Sequence, residues 1–195
     1  MDRILKEMEE YASLNNVPIM LKDGINYLTD YIKENNIKNI LEIGAAIGYS
    51  AIRMCLIDKD IKVTTIERDK VRYDEAVKNI NEFNLSDRIN IIFGDALDIE
   101  IEGNYDLIFI DAAKSQSIKF FEKYEKYLNQ DGTIITDNIN FHGLTFSNTP
   151  APTRNLRQMI RKIRNYLKWL DDNKEYHTKY ENIGDGLTIS KRVDN

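Results

Sequence analysis

The sequence predicts an α/β fold: a mainly parallel sheet of seven strands, helices on both faces and an antiparallel hairpin at the C-terminus. Two observations carry this. Short apolar runs alternate repeatedly with amphipathic stretches of helical length, and that order builds parallel sheets covered on both sides. The last two runs are separated only by a turn containing Gly184, Asp185 and Gly186, which suits a hairpin.

The elements follow in order. Residues 1–36 read as a helical cap segment broken at Pro18. "NILEIG" (39–44) is a strand and "YSAIRMCLID" (49–58) a helix. "KVTTIE" (62–67) is the next strand, followed by a helix from about Asp69 to Asn84. "INIIFGD" (89–95) and "YDLIFID" (105–111) are strands, and the helix "QSIKFFEKYEKYL" follows. "GTIITDN" (132–138) is a buried strand, and a long helix spans roughly 153–172. "KYENI" (179–183) pairs with "LTISKR" (187–192). "FSNTPAP" (146–152), with two of the three prolines, reads as a mobile loop at the ligand edge. The whole chain, 1–195, reads as one domain.

Composition excludes several classes. Hydrophobic residues at 42% and charged residues at 30% argue against disorder. No apolar run reaches the ~18 residues of a membrane span. The charged start, "MDRILKEMEEYASLNN", does not suit a signal peptide, so the expected location is cytoplasmic, with no membrane partner. A net charge of −5 argues against a general nucleic-acid coat. Cys55, the single cysteine, reads as inert packing.

Ligands in such sheets bind beyond the carboxyl ends of the strands. Those ends carry Glu42 and Gly44, Glu67, Asp95, Asp111, and Asp137 with Asn138. Gly44 and Gly48 form a turn that opens a helix, but Ala46 stands where a dinucleotide fold would want its middle glycine. Glu42 would repel a pyrophosphate and suits the ammonium of an amino acid. Glu67 can accept from ribose hydroxyls, Asp95 in "GDA" (94–96, with Ala96) from an adenine amine, and Ser50 can serve a carboxylate end. Together they describe a pocket for a nucleoside joined to an amino acid, which is S-adenosylmethionine.

Asp111, Asp137 and Asn138 offer only hard oxygen ligands, the set for Mg²⁺ or a similar divalent cation. Lys114 lies three residues past Asp111 and suits a general base or charge stabiliser.

These motifs resemble the metal-dependent, S-adenosylmethionine-dependent O-methyltransferases of the catechol and caffeoyl-CoA type, over Val17 to Arg192. The resemblance implies a Rossmann-like class I methyltransferase fold and a homodimer. It implies a metal triad of Asp111, Asp137 and Asn138, a catalytic Lys114, and cofactor contacts from Met20, Ser50, Glu67, Asp95 and Asp111. The stretches "NNVPIM", "LEIGAAIGYSAIRM", "YDLIFIDAAK", "IITDN" and "GDGLTISK" are similar to one bacterial branch, the tRNA 5-hydroxyuridine methyltransferases. That branch methylates the 5-oxygen of a wobble uridine, giving 5-methoxyuridine. Relatives usually carry a further N-terminal helical segment, where this sequence has only about 16 residues before Val17. The shorter start is expected to affect substrate capping and dimer geometry, not the chemistry.

"RNLRQMIRKIRNYLK" (154–168) has six basic residues and no acid. Arg154, Arg157, Arg161, Arg164 and Lys168 fall on one stripe within roughly 80° at ~100° per residue. Leu156, Met159, Ile160, Ile163, Leu167 and Leu170 form a separate apolar stripe. The basic stripe is read as a phosphate-contacting surface for tRNA, with a solvated face as the alternative. Phe141 and His142 could stack on an extruded base, or Phe141 could simply pack. The rival functions are the same chemistry on a catechol-like or phenolic molecule, an NAD-dependent oxidoreductase and a non-catalytic RNA- or nucleotide-binding module.

Overall fold

The computed structural model describes residues 2–147 and 151–193. The loop expected over 146–152 therefore falls partly outside the described residues, at 148–150. Two helices, α1 (Asp2–Leu14) and α2 (Lys22–Glu34), precede the sheet, with an extended link around Pro18. Then follow β1 (Asn39–Ile43), α3 (Tyr49–Cys55), β2 (Lys62–Glu67), α4 (Lys70–Glu82), β3 (Ile89–Phe93) and β4 (Tyr105–Ile110). After them come α5 (Ser117–Tyr124), β5 (Leu128–Thr136), α6 (Arg154–Asp172), β6 (Tyr176–Glu181) and β7 (Leu187–Arg192).

The seven strands form one sheet in the order β3-β2-β1-β4-β5-β7-β6. The first five are parallel, and β7 runs antiparallel to both β5 and β6. The strand order reverses between β1 and β4, which is where an open α/β sheet leaves a crevice for ligand. The predicted fold class is the observed one.

Alternation along β1 sorts the core. Ile40 faces the layer of Ile25, Leu28 and Ile52, while Leu41 and Ile43 face the layer of Phe120, Phe121 and Ile163. Glu42 shares the face of Ile40, so its carboxylate points into the protein beneath α3 and is fully buried. On α6, Ile160, Ile163, Leu167 and Leu170 are buried as expected, with Tyr166 added, while Leu156 and Met159 are half-buried. Tyr166 belongs inside because its hydroxyl lies 2.7 Å from Thr136 Oγ1.

Local chemistry sets the boundaries. Asp69 caps α4 by accepting from Arg72 N–H at 3.0 Å, and Thr153 caps α6 through Leu156 N–H at 3.2 Å. The helix expected over 49–58 stops at Cys55, because Asp58 accepts from Asp60 N–H at 2.9 Å and starts a turn into β2. β5 begins earlier than expected, at Leu128, with an irregular register opposite Tyr105 and Leu107. β6 likewise starts at Tyr176 rather than at 179.

Candidate active site

The turn after β1 is built on glycine. Gly44 has φ +103, and a Cβ there would lie 2.5 Å from the Asp111 carbonyl oxygen. Only glycine lets the ends of β1 and β4 pass this closely. Ala46 is also left-handed, at φ 45, and its N–H donates to Glu67 Oε2 at 2.7 Å. Thus the residue that breaks the dinucleotide pattern ties the β1 turn to the end of β2.

A cavity of about 480 Å³ opens beside this turn. Its walls include Met20, Gly44, Ser50, Glu67, Asp95 and Ala96, then Asp111, Lys114 and Asn138. Nearly every residue expected around cofactor and metal therefore reaches one space. Glu67 is anchored by two backbone donors, Ala46 N–H and, at 2.8 Å, Asp69 N–H, which aim its carboxylate. Asp95 accepts from Leu97 N–H at 2.9 Å and meets Arg68 at 3.4 Å.

Glu42 does not line the cavity. Its carboxylate accepts from the Ser50 hydroxyl and, at 2.5 Å, from Thr65 Oγ1. Burial pushes Glu42 up to about 7, against the pull of those two hydrogen bonds. The expected direct contact with an ammonium is thus replaced by a position one side chain back, behind Ser50.

At the other end, Asp111 and Asn138 line the cavity while Asp137 does not, and the three oxygen-bearing side chains are joined by hydrogen bonds. Asn138 Nδ2 donates to Asp137 Oδ2 at 2.8 Å and to Asp111 Oδ1 at 3.1 Å. Lys114 Nζ donates to the same Asp111 oxygen at 2.7 Å. Asn138 is left-handed, with φ 62, which turns its amide back toward both carboxylates. Asp137 is buried, and desolvation together with the neighbouring Asp111 charge holds it above the usual carboxylate range. Two carboxylates in a poorly solvated place favour a cation between them. The Asn138 amide presents oxygen instead of nitrogen after a half-turn, completing three hard oxygen donors. These residues fit a divalent ion of the Mg²⁺ kind.

The basic stripe of α6 divides in two. All five residues are exposed, but two of them are hydrogen-bonded to backbone carbonyls before the helix. Arg157 donates to the carbonyls of Ala151 (2.8 Å) and Pro152 (3.3 Å), and Arg164 to those of Thr145 (2.7 Å) and Ser147 (3.0 Å). These two guanidiniums hold the chain on either side of residues 148–150, a role the helical wheel did not reveal.

Sequence reasoning also missed wall residues. Arg68 and Arg72 line the cavity just past Glu67, and Tyr49 lines it from α3 while its hydroxyl donates to Glu9 of α1 at 2.6 Å. Asp185 lines it from the hairpin turn. The only signal for Asp185 was an acid between two glycines, which a turn alone explains.

A Rossmann-like sheet with this cofactor crevice defines a class I methyltransferase. The family model for O-methyltransferases matches residues 1–193, and the chain belongs to that family. It is 29% identical to a caffeoyl-CoA O-methyltransferase of Populus kitakamiensis, over 97% of this chain and 86% of that one. A solved structure from Staphylococcus aureus, provisionally named a caffeoyl-CoA O-methyltransferase, is 41% identical with a TM-score of 0.92, covering 97% of this chain and 92% of that one. The O-methyltransferase of Bacillus cereus, solved with S-adenosylhomocysteine (SAH), is 26% identical with a TM-score of 0.83, covering 99% and 92%. The protein is an S-adenosylmethionine-dependent O-methyltransferase. Among the described residues no helix is long and apolar enough to cross a membrane.

Proposed function

We propose that this protein methylates the 5-hydroxyl of 5-hydroxyuridine at the tRNA wobble position, giving 5-methoxyuridine, with a divalent cation held by Asp111, Asp137 and Asn138. The convergence of those three residues with Lys114 carries the reading, because it suits an acceptor with two adjacent oxygens. In 5-hydroxyuridine, O4 and O5 are such a pair. The exposed Arg154, Arg161 and Lys168 support an RNA substrate, since α6 packs on the 114–116 turn that carries Lys114.

When bound, the cofactor supplies an electrophilic methyl on sulfonium and the cation supplies Lewis acidity. The chain does the rest. Glu67 and Asp95 hold the nucleoside part, and Ser50, backed by Glu42, borders the amino-acid end. Lys114 stands beside Asp111 to take up the acceptor's proton or to offset the charge left on oxygen. With the cofactor held there, the acceptor oxygen would gain the methyl group and SAH would be the product released. Alignment of the two reacting atoms would supply several kcal/mol of the acceleration.

A second reading, a catechol-like or caffeoyl-CoA-like acceptor, is favoured by the names of the relatives. The deciding experiment is mass spectrometry of tRNA nucleosides from cells lacking the protein, paired with purified-enzyme assays on hypomodified tRNA and on catechols. Loss of 5-methoxyuridine with build-up of 5-hydroxyuridine is the expected result. Unchanged nucleosides with turnover on catechols would favour the second reading.

A further inference from the structure

The hairpin turn between β6 and β7 is more than a connection. Gly184 and Gly186 are both left-handed, with φ 61 and 84. A Cβ on Gly184 would lie 3.1 Å from Gly24 Cα, and one on Gly186 would lie 2.9 Å from Ile139. The turn is therefore pressed against α2 on one side and against the segment after Asn138 on the other. Asn140 N–H donates to the Asp185 carbonyl at 2.8 Å, and Ile139 N–H to the Gly186 carbonyl at 3.1 Å.

Asp185 sits at the centre of this contact, 6% exposed. Its Oδ1 accepts from the His142 backbone N–H at 2.6 Å. Its Oδ2 is buried with no hydrogen-bond partner among the described residues, and lies 3.7 Å from His142 Nδ1. A buried carboxylate oxygen without a donor is costly, so it draws in a nearby N–H. The His142 imidazole, 75% exposed, is a donor that a small ring rotation would bring within reach. Phe141 and His142 are themselves held left-handed, at φ 47 and 56, and both line the cavity.

We propose that Asp185 is a positioning residue that holds His142 as the Nδ1–H tautomer, leaving Nε2 as a hydrogen-bond acceptor toward the methyl-accepting molecule. The backbone bond fixes where the ring starts, and the second carboxylate oxygen fixes which nitrogen carries the proton. A buried aspartate controls a catalytic imidazole in serine hydrolases by the same physics. A ring N–H or hydroxyl of the acceptor, distinct from the methylated oxygen, would donate to Nε2. The acceptor part of this inference rests on the functional reading above, and the tautomer part does not.

The test uses the full chain labelled with ¹⁵N-histidine. The protein has two histidines, so His177→Gln assigns the His142 signals. With the imidazole neutral, the wild type is expected to show Nδ1–H, against the ordinary preference of a free ring for Nε2–H. Asp185→Asn keeps an oxygen for the His142 N–H but puts an amide donor beside Nδ1, so the proton should move to Nε2. Acceptor KM should rise about five- to tenfold in His142→Ala and Asp185→Asn, with the calorimetric affinity for SAH unchanged. An Nε2–H ring in the wild type overturns the proposal. So does an unchanged acceptor KM in His142→Ala. If the wild type methylates neither 5-hydroxyuridine, tRNA nor catechol, the functional reading fails, and the tautomer still decides the role of Asp185.

Discussion

Lys114 Nζ lies 2.7 Å from Asp111 Oδ1, and both side chains are largely covered by the cavity walls. A cation on the last turn before α5 thus shares one carboxylate oxygen with the amide of Asn138. Replacing Lys114 by Met keeps the bulk of the stem and removes the charged group. We expect kcat to fall by roughly 10²–10⁴ while calorimetric affinity for SAH is retained. An equal loss of cofactor affinity would show that Lys114 supports the pocket and not the chemistry.

Asp137→Ala should abolish methyl transfer and leave cofactor binding largely intact, because Asp137 is absent from the cavity wall that carries Glu67 and Asp95. Excess EDTA should stop the wild-type enzyme, and added Mg²⁺ should restore it. Full activity in chelator would sink the metal assignment.

Glu67→Ala should weaken cofactor binding by about 1–3 kcal/mol, through the lost charge-assisted bond to ribose hydroxyls. Because Ala46 and Asp69 also donate to this carboxylate, Glu67→Gln is the companion variant. It keeps one acceptor oxygen and should lose less. Calorimetry that finds both variants equal to wild type removes Glu67 from the site.

Glu42 gives a pH signature of stability. Its folded pKa is raised from 4.5 to about 7, so between those values the native state binds more protons than the unfolded chain. Stability from this group is complete below the lower value and is lost as pH rises through the higher one. Glu42→Gln, whose amide can serve Ser50 and Thr65, should remove that decline. The variant should gain on the order of 3 kcal/mol relative to wild type between acid and mildly alkaline pH. Urea unfolding across the range measures it, and parallel pH curves for the two proteins would contradict the buried-carboxyl account.

For tRNA, the structure changes which variant is informative. Arg157 and Arg164 hold backbone carbonyls near residues 145–152, so their loss would disturb that segment as well as any phosphate contact. Changing Arg154, Arg161 and Lys168 together to Gln leaves those bonds and the apolar stripe in place. If these three meet phosphates, the slope of log K against log salt should flatten by up to about two to three units. Turnover on free 5-hydroxyuridine should barely change. A wild-type slope in the triple variant would make the stripe a solvated face.

Local sequence signals are enough to specify the sheet, the order of its elements and the edge where chemistry gathers. Those depend on local signals: the two-residue period of β1, the glycine turn at Gly44, the cap at Asp69 and acids at strand ends. The convergence of Asp111, Asp137 and Asn138 was legible because neighbouring parallel strands end at the same edge. Tertiary structure alone decided what each polar atom meets. Glu42 turned out to lie behind Ser50 because the pleat of β1 sends it under α3. Arg157 and Arg164 turned out to be occupied by a neighbouring loop, which a helical wheel cannot represent. Asp185 was invisible as a site residue, because it lies 43 positions from its His142 partner. A hydrogen bond is specified by the meeting of two distant backbones, and sequence spacing records only one of them at a time.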